Sequence, residues 1–374
     1  MCGICGEIRF DDSPVDLRAV MRMTDAMEPR GPDGSGVIGR DRVALGHRRL
    51  KIIDLSENAQ QPMVDPMLGL SIVFNGAIYN YKELRVELEQ KGHRFFSHGD
   101  TEVILKSYAQ WGEQCVEHLS GMFAFAIWER DSGRVFLARD RIGIKPLYLA
   151  PIKQGLRFAS SLPALLAGGG IDTAIDPVGL HHYMTLHAIV PAPRTILRGV
   201  QKLAPGTTLT LEADGKQKTR RYWDVRFETP ERDRTMSFQD WQERSISTLR
   251  TAVKRRTVAD VPVGVLLSGG FDSSLIVGLL AELGAAPETF SIGFESIDDK
   301  EGNEFEYSDL IAKHYGTKHH KISIGADHTL PNIPGCIAAM CEPMVSHDVI
   351  GFYLLSQEVK KHVKVVQSGQ GADE

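Results

Sequence analysis

Val263-Gly264-Val265-Leu266-Leu267 runs without interruption into Ser268-Gly269-Gly270-Phe271-Asp272-Ser273-Ser274, and this join leaves few folds open. A short, largely apolar run (Val261 to Leu267) is what a buried parallel strand looks like, and the segment after the loop reads as a helix. The two glycines let backbone N–H groups turn toward an anion without a Cβ in the way. The serines add hydroxyl donors, and a helix N-terminus adds positive potential. Such a loop is a phosphate cradle. It has neither the Gly-Lys-Ser/Thr of a Walker loop nor the spaced glycines of a dinucleotide fold, so hydride transfer and ordinary γ-phosphate cleavage are poorly supported. The bland alternative is a glycine-rich turn with no chemical purpose.

The flanking pattern widens this into a domain. A helix pattern from Phe238 carries Trp241, Ile246, Leu249 and Val253 on one face. After the loop come Ser274–Leu283 as helix, Thr289–Phe294 as strand, Tyr307–Tyr315 as helix and Lys321–Ile324 as strand. The alternation predicts a doubly wound parallel sheet. Val363–Gln367 reads as a further strand and Ser368–Glu374 as a turn entering a helix. A strand without its covering helix leaves an apolar face in water, so more chain is expected after Glu374. At 374 residues the chain exceeds one ordinary core. Pro, Gly and Thr become frequent between about Gly168 and Arg234, and the charged run from Glu228 to Arg234 suits a boundary. The expected domains are residues 2–227 and 237–374, joined by a linker at 228–236.

The first half reads as strands and short helices. Phe123 to Trp128, the turn Asp131-Ser132-Gly133, and Arg134 to Ala138 form a hairpin expected to be buried on both faces. Ser71–Phe74 is another strand. Tyr81, Leu84 and Leu88 mark a helix closed by Gly92. At the start, Met1-Cys2-Gly3-Ile4-Cys5-Gly6 puts a small residue second, the situation in which an initiator Met is trimmed. Cys2 would then hold a thiol and a free α-amine, and an amine of pKa about 7.7 to 8 can serve as base at neutral pH. Two rival readings are a metal or redox Cys2-x-x-Cys5 and a silent core cysteine. Zinc needs four ligands, and the other close pair, Cys336 and Cys341, lies far outside zinc-finger spacing.

Further segments join Cys2: Arg30-Gly31-Pro32-Asp33-Gly34-Ser35-Gly36, His47-Arg48-Arg49-Leu50, Asn75-Gly76-Ala77-Ile78-Tyr79-Asn80 and Gly99-Asp100-Thr101-Glu102. Singly each is weak, since Asn75-Gly76 is a common turn, Asp100 could be an ordinary helix N-cap and Arg49 could be a surface charge. In this order they resemble the class II glutamine amidotransferase domain. The resemblance implies an α/β fold in which an N-terminal-nucleophile αββα sandwich precedes the parallel-sheet domain. It also implies Cys2 as nucleophile, with the Asn75 amide and Gly76 N–H holding the oxyanion. Arg49 would meet the substrate α-carboxylate, Asp100 its α-ammonium, and the backbone of Leu50, Lys51, Ile52 and Ile53 would frame the pocket. The family usually has Glu where Ala77 stands, so looser glutamine binding is expected.

Ser268-Gly269-Gly270-x-Asp272-Ser273-Ser274 resembles the PP-loop of ATP pyrophosphatases. This implies cleavage of ATP to AMP and pyrophosphate. The loop would grip pyrophosphate, Asp272 would help to hold Mg²⁺, and Leu267, Ile292, Ser368 and Gly369 would contact the nucleotide. The full order of motifs resembles the asparagine synthetase family across essentially all of the chain. That family joins glutaminase to acyl-adenylate amidation through an internal ammonia tunnel. Relatives often carry Glu at Gln370, and an amide there is a poor proton acceptor. With Cys341-Glu342-Pro343-Met344-Val345-Ser346-His347-Asp348, this ending resembles the N-acetylglutaminylglutamine amidotransferase branch, which leaves that acetylated dipeptide and aspartate as alternative acceptors.

Composition removes other classes. A net charge of -5 and scattered Lys and Arg give no field for a phosphate backbone, so no nucleic-acid partner is expected. No apolar run approaches the roughly 20 residues of a membrane span, and early charges at Glu7, Arg9, Asp11 and Asp12 oppose a signal peptide. Five irregularly spaced cysteines fit reduced thiols and a cytoplasmic location. His181-His182 and His319-His320 read as structural or surface pairs, because neighbours in a strand or helix point apart and no carboxylate pattern accompanies them. A glutaminase feeding a sugar phosphate would need no such loop, and a non-catalytic glutamine sensor would fit the changes at Ala77 and Gln370. A homodimer is among the assemblies the resemblance allows.

Overall fold

Gly3–Arg9 is a strand with a neighbour on each edge, and the first unit is built around it. In this computed structural model, residues 1–374 are described except 12, 295–303, 345 and 372–374. The end of the expected turn and helix at Ser368–Glu374 lies outside the described residues. The chain forms two compact units, Met1–Arg226 with Cys341–Pro343, and Phe227–Met340 with Met344–Glu374.

The first unit holds two antiparallel sheets. One runs β10 (Gln201–Lys202), β8 (Tyr148–Ile152), β9 (Gly155–Ala159), β1 (Gly3–Arg9), β3 (Val43–Arg49), β2 (Gly34–Arg40). The other runs β12 (Gln217–Arg221), β11 (Thr207–Leu211), β7 (Val135–Arg139), β6 (Gly121–Glu129), β5 (Leu70–Ile78), β4 (Met63–Asp65). Strand alternation sends Ile4, Ile8, Val43, Leu45, Val73, Ala124 and Ala126 into one core between the sheets. The opposite face of the first sheet, with Cys5, Ala44, Ala150 and Ala159, is covered by Val20 and Met23 of helix Leu17–Asp25 and by Leu162 and Leu165 of helix Leu162–Gly168. Helix Asp100–Trp111 covers the outer face of the second, where Tyr108 stacks on Phe136 at 5.2 Å. The result is the expected αββα sandwich. The β6–β7 hairpin pairs Trp128 with Val135 and Ala124 with Arg139, and Phe123 to Trp128 are all buried.

His47 of β3 is enclosed in the inter-sheet core, its Nε2 3.1 Å from the Phe74 carbonyl. Burial pushes its pKa down to about 3. The folded state therefore holds the ring neutral while the unfolded chain takes up a proton below about pH 6.5. This contribution to stability is full above pH 6.5 and is lost as pH falls toward 3. Between pH 7.5 and pH 5 the loss is roughly 2 kcal/mol. Denaturant unfolding of the first unit is expected to show that drop in the wild type and to show it diminished in His47→Gln, whose amide can still donate to Phe74.

The second unit has a four-stranded parallel sheet in the order β15 (Lys318–Ile324), β14 (Glu288–Phe294), β13 (Val263–Leu266), β16 (Val365–Gln367). Val253, Val277, Leu279, Leu280 and Ala312 pack with Val265 and Leu267 in one cluster. Leu355, Val359 and Val363 pack with Phe290, Ile292 and Ile322 in another, so helices cover both faces, as in a doubly wound sheet. Helix Phe238–Arg255 opens on a capping box between Ser237 and Asp240. From β13 the chain winds outward to β14 and β15, then returns to β16 on the other side of β13. The crevice at the carboxyl ends of β13 and β16 is thus a topological switch point, where open α/β sheets bind ligands.

Candidate functional site

Register places the first group of residues. Gly3 pairs with Arg48, so Cys2 stands opposite Arg49 at the end of the β1–β3 ladder, and alternation turns Cys2, Arg49 and Asn75 toward the inter-sheet side. The Leu50 N–H donates to Cys2 Sγ at 3.3 Å, and Arg30 Nε donates to the Cys2 carbonyl at 3.2 Å. Burial pushes the Cys2 thiol up, against the opposing pull of the Leu50 N–H, the terminal amine and Lys145. The terminal amine, which in this chain is that of Met1, is lowered to about 6, first by burial and then by the Arg30 and Lys145 charges.

Asn75 is 1% exposed, and its Nδ2 has no hydrogen-bond partner among the described residues. Gly76 follows it where a Cβ would lie 2.1 Å from the Met122 carbonyl, so no larger residue fits between β5 and β6. Arg49 is buried and its guanidinium donates to the carbonyls of Ser56, at 2.8 Å, and Asp54. That fixes the fork in place. Asp100 is the first residue of its helix, with Gly99 as the N-cap, and its Oδ2 accepts from the Ile78 N–H at 2.9 Å. The carboxylate thus faces β5 instead of capping its own helix. Ala77 is buried, while Leu50, Ile52 and Ile53 are partly exposed. Asp33 Oδ2 accepts from the Lys51 N–H at 2.9 Å and ties this segment to the Arg30–Gly36 loop.

Cys5 does not join Cys2. Its thiol lies on the other face of β1, 3.3 Å from Thr24 Oγ1 under helix Leu17–Asp25, and burial pushes it up to about 12. All five cysteines are free. Lys145 and Arg30 are the groups sequence reasoning passed over as contributors. Lys145 is buried, with Nζ 3.1 Å from Met1 Sδ, and burial together with Arg30 lowers it to about 8. A lysine in the tight loop Gly143-Ile144-Lys145-Pro146, directly after the buried Arg139-Asp140 pair, is the signal that could have found it.

In the second unit, a cavity of about 730 Å³ opens at the switch point. It is lined by Leu267, Ser268, Gly270, Asp272 and Ser273 after β13, by Ile292 of β14, and by Ser368, Gly369 and Gln370 after β16. Gly369 approaches so closely that a Cβ there would lie 2.7 Å from Ser273 N. Within the loop, Ser273 Oγ accepts from Ser268 N–H at 3.3 Å and Ser268 Oγ accepts from Gly270 N–H at 3.2 Å. Gly270 caps helix Phe271–Glu282, with Asp272 in its first turn. Gly269 and Ser274 are not in the lining. Gly269 turns the loop at φ +90°, and Ser274 Oγ donates to the Gly270 carbonyl at 2.7 Å. Glu304, Phe290, Phe294, Asp348 and Phe352 also border the cavity, and sequence reasoning gave none of them a role there.

The model of a glutamine amidotransferase domain matches residues 1–223, and that of asparagine synthase matches residues 246–374. The chain is 36% identical to the glutamine-hydrolysing asparagine synthetase 3 of Bacillus subtilis, over all of this chain and 62% of that protein. It is 34% identical to a putative glutamine-hydrolysing asparagine synthetase 2 of Methanocaldococcus jannaschii, over all of this chain and 75% of the relative. Against two Bacillus subtilis relatives the chain spans 62% and 58% of their lengths. Among solved structures, the phosphoribosylpyrophosphate amidotransferase of B. subtilis complexed with ADP and GMP aligns with TM-score 0.46 and 17% identity, covering 76% of this chain and 64% of that one. No helix among the described residues is long and apolar enough to cross a membrane.

Proposed function

The chain belongs to the glutamine-hydrolysing asparagine synthetase family, and from that premise we propose that its first unit frees ammonia from glutamine and its second activates a carboxylate with ATP to receive it. One observation carries the first half: a buried amide donor, Asn75 Nδ2, without a partner among the described residues, on the inner face toward which Cys2 turns. An unmet buried donor is costly unless something arrives to accept from it. An oxyanion does so.

With Met1 removed, the α-amine sits on Cys2 itself. It takes the thiol proton, the thiolate attacks the glutamine side-chain carbonyl, and the oxyanion rests on Asn75 Nδ2–H and Gly76 N–H. The amine then passes its proton to the departing ammonia. Water hydrolyses the thioester to glutamate. Arg49, its fork held by Ser56 and Asp54, receives the α-carboxylate, and Asp100 the α-ammonium. In the second unit, ATP occupies the switch-point cavity with its pyrophosphate on the Ser268–Ser274 loop. An acceptor carboxylate attacks the α-phosphorus and pyrophosphate leaves. Ammonia then displaces AMP from the mixed anhydride to give an amide. Asp272 is our candidate Mg²⁺ ligand, and Asp348 and Glu304 border the same cavity, a set of oxygen donors that suits a hard cation. Such an ion supplies neutralisation of phosphate charge. Gln370 lines the cavity but can only orient the ammonia, having no basic oxygen to offer. The acceptor is aspartate or N-acetylglutaminylglutamine. Supplying each in turn with glutamine and ATP and quantifying amide and AMP decides between them, and AMP with neither acceptor rejects both.

Once Met1 is gone, the Cys2 α-amine sets a pH dependence. Only the unprotonated amine can accept the thiol proton, so kcat/KM for glutamate release should rise with pH through the ionisation of the Cys2 α-amine, which the neighbouring Arg30 and Lys145 charges pull below the ordinary 7.7 to 8. Lys145→Met removes a cation that disfavours the protonated amine, which moves the rise to higher pH. A wild-type midpoint at or above 8 would refute the assignment of the base.

A further inference from the structure

We propose that the second unit binds a borderline divalent transition ion, with Zn²⁺ as the reference case, between Glu288, His320 and His362 at the amino-terminal edge of its sheet. One donor atom from each residue lies within 4.8 Å of the others. Two imidazoles and a carboxylate are a donor set that Zn²⁺ accepts, leaving a fourth position for water. The site sits at the opposite end of β14 from Phe294, which borders the nucleotide cavity, and it requires neither of the activities proposed above.

The sheet brings these residues together. In the parallel register Glu288 faces Lys318 and Phe290 faces His320, so Glu288, Phe290 and His320 project from one face. His319 takes the other face, where its ring nitrogens lie 2.9 Å from Thr289 Oγ1 and 3.4 Å from Ser291 Oγ. His362 arrives from the turn after helix His347–Val359, its N–H bonded to the Val359 carbonyl at 2.9 Å. The His320 and His362 rings are 4.3 Å apart. His320 also stacks on the buried Phe290 ring at 4.9 Å, which fixes its plane.

His320 Nε2 lies 2.8 Å from Glu288 Oε2, while Lys318 Nζ holds the other oxygen, Oε1, at 3.1 Å. Oε2 is thus the oxygen turned to the histidines. Ligand bonds of about 2.0 to 2.1 Å put tetrahedral donors roughly 3.3 Å apart. The pair need open only slightly, and the exposed His362 supplies the remaining adjustment. A plain His320–Glu288 ion pair would account for two of the three groups and leave His362 indifferent.

Chelator-stripped chain titrated with Co²⁺ should take up one equivalent with visible d–d bands and without thiolate-to-metal charge transfer, which separates this site from the five cysteines. Zn²⁺ should displace the cobalt and raise the melting temperature of the second unit. His362→Ala and Glu288→Gln change groups that are not in the packed core, so both should fold as the wild type does without metal. Each should weaken Zn²⁺ binding by at least about tenfold. No saturable binding, binding accompanied by a thiolate band, or an affinity that His362→Ala leaves unchanged would overturn the proposal.

Discussion

Cys2→Ala is expected to lower glutamate release from glutamine by roughly 10⁴-fold or more, the size of loss seen when a covalent nucleophile is removed. Cys2 precedes the β1 ladder, and the bonds that hold β1 run through Gly3 to Arg9 on its two edges, so folding should be unaffected. The melting temperature checks that. A second variant separates the thiol from its amine. Inserting a lysine between Met1 and Cys2 blocks excision and leaves the sulfur in place without its own α-amine. Release should fall to a level close to that of Cys2→Ala. If the extended protein kept wild-type activity, the terminal amine would not be the base, and a nearby group such as Lys145 would have to take that part. Neither change touches the second unit, so ATP binding should be unaltered in both.

The second large effect belongs to Gly269. Its φ of +90° is a conformation L residues rarely adopt, and a Cβ there would lie 2.6 Å from Tyr307 Cβ and 2.8 Å from Ser308 N. Gly269→Ala must therefore either distort the loop or push away the start of helix Phe305–Tyr315. Strain of about 3 kcal/mol, taken from the geometry of the phosphate loop, corresponds to roughly 100-fold in ATP affinity. Gly270→Ala is the control. Its φ is -68°, and the added methyl meets only Ser268 Oγ, at 3.3 Å. Calorimetric titration with ATP should show strong weakening at 269 and a small change at 270. Equal affinities for Gly269→Ala and wild type would remove the loop from the binding site.

What the sequence disclosed was what neighbouring residues encode together. The β6–β7 hairpin was legible because alternation and the turn at Asp131-Ser132-Gly133 agree. The strand–loop–helix at Val263 to Glu282 was legible because glycine and serine mark the loop between two apolar elements. In the second unit the helices Ala326–Ala339 and His347–Val359 went unread, and the first carries Pro331 and Pro334, which local propensity counts against a helix. β15 starts three residues before the expected Lys321, since Lys318-His319-His320 looks too polar for a strand. Groups that act through tertiary proximity left at most a weak local trace. Lys145 reaches Met1, and Glu288 meets His320 and His362, only because strands distant in the chain share a sheet or a core. Sequence order also said nothing of how Arg49 would be held by the carbonyls of Ser56 and Asp54.

Chain ends usually fray, and residues near them sample many positions. Here the strand beginning one residue after the sulfur is bonded along both edges, to β3 and β9, with Ile4 and Ile8 anchored in the inter-sheet core. The Cys2 sulfur, the proposed nucleophile, therefore hangs from a fixed scaffold. On that proposal an incoming amide need not wait for a wandering tail, and trimming one residue beside the sulfur would alter local charge and space while the scaffold stays still.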